Sequence, residues 1–207
     1  MWEFIKARGW LMLPLIMCSI MAAAITIERF IRLKKSVVAP ESLVKHLILR
    51  DQLTAEDEAE LFQSPLGKVL AQGYNNKDKD PEFAKMQMQT EASVQIAQLE
   101  KNINFLGTIG SIAPLLGLLG TVLGIIEAFL AVNTGGVSDP AMLASGVSKA
   151  LITTAAGMIV AIPALVAYRY FQRLIVELVV IMEQSATLYH ANLFYNKVQV
   201  PHQDHAW

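Results

Sequence analysis

Three long stretches of this chain carry no charge. Gly9 to Ile27 is 19 residues, Asn102 to Ile126 is 25, and Ala150 to Tyr168 is 19. A bilayer core ~30 Å thick takes about 20 residues of helix, and a helix satisfies its own backbone polar groups where water is absent. Buried helices of a soluble bundle seldom string out this many apolar residues without a polar face. The runs therefore predict an all-α membrane protein with three transmembrane helices. Composition agrees, with 54 % hydrophobic and 17 % charged residues, against roughly 25 % charged in a soluble domain. A net charge of −1 argues against nucleic acid as a partner, since its binders carry a basic patch.

Lys6 and Arg8 precede the first run, as in a secretory leader. The run is longer than such a leader's apolar core, and Arg29, Arg32, Lys34 and Lys35 follow it as a stop-transfer signal. It is expected to stay as an anchor. Lys and Arg also set the orientation. They are dense after the first run, absent from Ala131 to Met142, and return as Arg169 and Arg173. The N-terminus is thus expected on the periplasmic side and the C-terminus in the cytoplasm.

Two helices are expected to outrun the membrane and extend into the cytoplasm. Asp80-Pro81-Glu82 supplies a carboxylate cap, a proline in the first turn and an acid at the positive dipole end. No strong breaker follows before Pro114, and proline is tolerated within membrane helices. Ser138-Asp139-Pro140 is a second such start. The expected layout is an outer-face segment at 1–9 and a first transmembrane helix at 10–32. Small cytoplasmic helices follow at 33–80, with starts at Thr54 and Ser64-Pro65. A long helix at 81–132 contains the second crossing, 133–139 is a periplasmic link, a long helix at 140–195 contains the third crossing, and 196–207 is a cytoplasmic tail.

Small residues recur on both later runs. Gly110, Pro114, Gly117, Thr121, Gly124 and Ala128 stand four or three apart, as do Ala150, Thr154, Gly157, Ala161 and Ala164. Such spacing places them on one helix face and lets membrane helices approach closely. Gly110, Pro114, Gly117, Gly124, Gly157, Ala161 and Pro163 are therefore the expected packing residues. Thr121 lies ~17 Å from the outer end of its helix and Thr154 ~21 Å from the start of the next. In an antiparallel pair the two hydroxyls sit at similar depth. Each can bond the carbonyl four residues before it, or the two can line a narrow polar path. Glu127 and Lys149 are the only charges within the apolar parts of these helices. Such charges face a partner or a water cavity, so they are candidates for that path or for an ion pair, within one subunit or between two. Snorkelling of Lys149 to the surface is the alternative.

Cys18 is the single cysteine, and the apolar runs contain no histidine. Neither a thiol metal cluster nor an intramembrane hydrolase is expected, and His202 and His205 read as part of a solvated tail. Gly117-Leu118-Leu119-Gly120-Thr121 lacks the lysine of a phosphate loop. The chain is expected to be no enzyme and to hold no metal or cofactor.

Ile109-Gly110-Ser111-Ile112-Ala113-Pro114-Leu115-Leu116-Gly117-Leu118-Leu119-Gly120-Thr121-Val122 and the run from Gly146 to Tyr168, with the shorter Ser64-Pro65-Leu66-Gly67 and Ile27-Glu28-Arg29-Phe30, resemble the MotA/TolQ/ExbB proton-channel family. Matching is strong over roughly residues 105 to 170. Three crossings resemble the ExbB/TolQ branch, and Leu-Ile-Thr-Thr-Ala-Ala-Gly looks closer to ExbB. The resemblance implies a homopentamer in the bacterial inner membrane. The ring would surround the single-span helices of ExbD-like subunits, whose aspartate carries the proton. Proton motive force would then energise a TonB-like transducer for outer-membrane transport. A TolQ-like role in envelope constriction is the alternative, and a passive scaffold a third reading. Thr121 and Thr154 match threonines that line the family's pore. The family often has Glu where this chain has Lys149, and relatives vary among polar residues at Glu127.

Overall fold

The computed structural model describes residues 12–40, 43, 47, 63–134 and 140–195. The elements are α1 (Met12–Arg32), α2 (Lys35–Val38), α3 (Pro65–Asn75), α4 (Pro81–Glu100), α5 (Ile103–Thr134) and α6 (Pro140–Tyr195). No strand occurs among the described residues. The segment 1–9, the Thr54 start, most of the 133–139 link and the tail at 196–207 lie outside them.

The helix starts follow from capping chemistry. Ser64 accepts a hydrogen bond from the Gly67 amide at 3.0 Å, with Pro65 in the first turn. Asp80 accepts from the amides of Glu82 and Phe83 at 3.1 and 3.3 Å, with Pro81 next. Each cap satisfies amides that a helix N-terminus leaves without partners.

The single helix expected over 81–132 is two helices. Asn102 adopts φ 64°, the left-handed region that asparagine enters more readily than most residues. Helix α4 therefore ends at Glu100 and α5 begins at Ile103. Pro114 and Pro163 both lie inside continuous helices, and α6 runs 56 residues, or ~84 Å.

The chain divides into two compact units. One comprises α1 to Phe30, α5, and α6 to Gln172. Its core is Leu15, Ala113 and Ala161, with Met12, Leu116 and Val160 packed on them. The other comprises residues 31–101 and 173–207. There α3 packs on α4, and His190 Nε2 lies 2.9 Å from the Pro81 carbonyl.

Helices long and apolar enough to cross a membrane number three among the described residues. Only 17 % of the first apolar window and 28 % of each of the other two is buried within the chain. Ile20, Leu115, Leu151 and Ile159 are among the large side chains left exposed. A soluble monomer rarely shows so much contiguous apolar surface, so these faces meet lipid or other chains. The protein is a multi-pass membrane protein.

Candidate functional site

Helices α5 and α6 meet along an antiparallel seam of small residues. A Cβ on Gly117 would stand 3.0 Å from the Thr154 Cα, and one on Gly157 would stand 2.6 Å from the Ala113 carbonyl oxygen. Neither position admits a side chain, because backbone faces backbone there. Gly110 lies against Leu165, Gly124 against Ala150, and Gly146 against Ala128. Ala161 is 2 % exposed and joins the core with Leu15 and Ala113. Pro114 is half-buried. Pro163 is not in the seam. It lines an apolar groove of about 340 Å³ between α1 and α6, beside Ala22, Ala23 and Thr26.

This closeness brings two hydroxyls together. Thr121 and Thr154 hydrogen-bond to each other through their side-chain oxygens. Thr154 also donates across the seam to the Gly117 carbonyl at 2.9 Å. Thr121 reaches the same carbonyl at 3.3 Å and that of Ala150 at 3.4 Å. Both residues are half-buried. Each hydroxyl finds partners on the opposite helix, and one side of the pair is left open.

The open side can be identified from helix geometry. Leu116, which packs on the core formed by Leu15 of α1 with Ala113 and Ala161, stands five residues before Thr121, or about 140° round the helix. Val160, which packs on the same core, stands six residues after Thr154, or about 120° round. Helix α1 therefore covers one flank of the α5–α6 pair, and the threonines occupy the other.

Glu127 and Lys149 fall on the α1 flank. Glu127 is six residues after Thr121 and Lys149 five before Thr154, about 120° and 140° from them. Both are exposed, and they are not bonded to each other within the chain. The structure does not join them to the hydroxyl pair.

Thr153, beside Thr154 in the chain, is also a seam residue. It is 5 % exposed. Its methyl contacts the space above Gly120, and its hydroxyl donates to the Lys149 carbonyl at 3.1 Å. The seam is broad enough to take neighbouring threonines, one on each side of its midline. Gly120, placed opposite, was the available signal. Among the described residues no group of three His, Cys, Asp or Glu could hold a metal ion.

Comparison with known proteins bears on this geometry. The sequence pattern of the MotA/TolQ/ExbB proton channel family matches residues 57–184, which include the whole of α5 and all of the seam. The chain is 36 % identical over 174 residues to the biopolymer transport protein ExbB-like 1 of Synechocystis sp., covering 81 % of this chain and 68 % of that protein. It is 33 % identical over 165 residues to the biopolymer transport protein exbB1 of Vibrio cholerae, covering 75 % and 72 %. It is also similar to the Tol-Pal system protein TolQ of Haemophilus influenzae, at 45 % identity over 74 residues, 36 % of this chain and 32 % of that one.

Proposed function

This chain belongs to the MotA/TolQ/ExbB proton channel family, and on that premise we propose that it is a proton-channel subunit of an inner-membrane motor. The motor uses the proton motive force to energise TonB-dependent transport at the outer membrane. The observation that carries this reading is the Thr121–Thr154 hydroxyl pair on the flank of α5–α6 that α1 leaves uncovered. Both hydroxyls are paired within the seam, and on an uncovered flank each keeps hydrogen-bonding capacity for a partner or for water.

The ring architecture follows from the same surface. Copies of the chain, five by the family resemblance, would turn their threonine flanks inward and their α1 helices outward. The axial lumen would hold ExbD-like single-span subunits, whose carboxylate shuttles protons past the hydroxyls. A proton crossing 100 mV releases about 2.3 kcal/mol. Coupling that release to work needs discrete repeated states, which closed cyclic symmetry supplies. The Lys and Arg pattern supports a periplasmic N-terminus and a cytoplasmic C-terminus.

Thr154→Val, co-expressed with the partner subunit, tests the reading. It should abolish proton-driven uptake while the complex still assembles, and normal uptake would overturn the proposal. The stretch resembling TolQ favours a second reading, a role in envelope constriction. A deletion strain separates the two: loss of siderophore uptake supports the first, and detergent sensitivity with septation defects supports the second.

A further inference from the structure

A single tyrosine hydroxyl meets the seam nearly four turns from the threonine pair. Gly107 stands fourteen residues before Thr121, and Tyr168 stands fourteen after Thr154. On either helix fourteen residues return to within about 40° of the starting bearing and advance ~21 Å. Because α5 and α6 run antiparallel, both offsets lead to the same end of the seam, the end that carries Arg169. Gly107 is turned about 40° further from the α1 flank than Thr121, and Tyr168, turned about 40° from Thr154 back toward the seam midline, meets it there.

The structure brings that pair into contact. The Tyr168 ring lies on Gly107, where a Cβ would stand 3.0 Å from Cζ and 3.1 and 3.2 Å from the two Cε atoms. The hydroxyl end of the ring is therefore the part laid over α5. Gln172, one turn further along α6, donates from Nε2 to the Tyr168 hydroxyl at 2.7 Å. That bond occupies one lone pair and orients the oxygen. The hydroxyl hydrogen and a second lone pair remain for other partners, in a residue that is only half-buried. Between the threonine pair and Tyr168 the seam itself offers Ala113, Gly157 and Ala161, while Ser111, on the uncovered flank of α5, donates its hydroxyl to the Gly107 carbonyl at 2.9 Å.

We propose that the Tyr168 hydroxyl, laid across Gly107 and oriented by Gln172, is a second proton station on the path that begins at Thr121 and Thr154. The assignment rests on the proton-path reading above. Tyr168 acts as a neutral relay: its oxygen takes a proton from one water as its own hydrogen passes to the next, so one O–H bond forms as another breaks. A gap of ~21 Å is too long for direct transfer between the stations. Waters or the partner's mobile carboxylic acid carry the proton between them. Gln172 is a positioning residue, since it touches only the relay oxygen.

The test is proton flux under an imposed pH gradient, in membrane vesicles containing the full chain with its single-span partner. Tyr168→Phe keeps the ring over Gly107 and removes only the hydroxyl. Flux should fall about fivefold or more, the effect of losing one hydrogen bond in a transfer step, with the oligomer unchanged on native gels. Gln172→Leu should lower flux less, and the double variant should be no worse than Tyr168→Phe alone. A packing role predicts the opposite pattern: Tyr168→Phe conducts like the wild type and only Gly107→Val, which displaces the ring, is impaired. That pattern, in a background where Thr154→Val blocks flux, overturns the relay and leaves the proton-path reading standing. Unchanged flux in Thr154→Val would instead remove the reading on which the relay rests.

Discussion

The hydroxyls of Thr121 and Thr154 hydrogen-bond to each other across the α5–α6 seam, although they stand 33 positions apart in the chain. The contact exists because Gly117 has no side chain, so the backbone of α6 comes close enough for Thr154 to donate to the Gly117 carbonyl at 2.9 Å. Packing and polarity are therefore one arrangement. Residues that set the helix spacing also set the position of the proposed proton-path groups.

Replacing the hydroxyl while keeping its shape isolates polarity from packing. Thr154→Val should eliminate proton-driven uptake, and Thr154→Ser should retain most of it. Both should assemble, because valine fills the same space. Uptake assays with membrane-complex quantification check this, and equal activity in the two variants would contradict it.

Adding one methyl at the closest backbone crossing should loosen the pair. A Cβ on Gly157 would stand 2.6 Å from the Ala113 carbonyl oxygen, and backbone cannot step aside as a flexible side chain can. Gly157→Ala is expected to cost about 1–3 kcal/mol, the usual range for overpacking. Thermal unfolding of the detergent-solubilised complex would report it as a lower midpoint. Ala155→Gly, at an exposed position on the same helix, is the control for helix propensity.

The break between α4 and α5 rests on the left-handed backbone at Asn102. Asn102→Ala should destabilise by roughly 1 kcal/mol, since a Cβ without a polar compensation disfavours that region. Asn102→Gly should be neutral or slightly stabilising. Thermal midpoints of the two variants should therefore separate, and identical shifts would mean that φ is not the cause.

Glu127 stands on the α1 flank, away from the hydroxyl pair, so Glu127→Gln should leave proton-driven uptake nearly intact. A loss as deep as that of Thr154→Val would return Glu127 to the path. Within one chain Glu127 and Lys149 are not bonded, so any pairing must join neighbouring copies. If it does, Lys149→Ala alone should assemble less well than the double change to alanine at both sites, because a lone charge is then left in apolar surroundings. Additive effects of the two single changes, measured by native gel, would exclude the pair.

Much of this architecture was legible before any coordinates. An uncharged run of 19 residues has few alternatives to a crossing helix. Ser64-Pro65 and Asp80-Pro81 state their helix starts in the residues themselves, because capping is a local interaction among neighbours. Asn102 was harder to read. Asparagine occupies helix interiors as well as left-handed turns, and nothing in its neighbours distinguishes the two. Gly73, a residue type that often ends a helix, sits inside one that runs on to Asn75. It serves a close approach instead, since a Cβ there would stand 2.8 Å from the Met88 sulfur, which is a fact about a distant helix.

What the sequence by itself determined was therefore the number of crossings, the length of α6, the caps, and the existence of small-residue faces, all of which depend on runs and spacings along one chain segment. Only the tertiary structure decided which small residues meet, that Thr153 shares the seam, that Glu127 and Lys149 share the flank of α1, and that Tyr168 lies on Gly107. Those outcomes depend on the rotation of one helix about its axis against another. A spacing of three and four defines a face, but the direction that face turns is set by every contact along the seam at once.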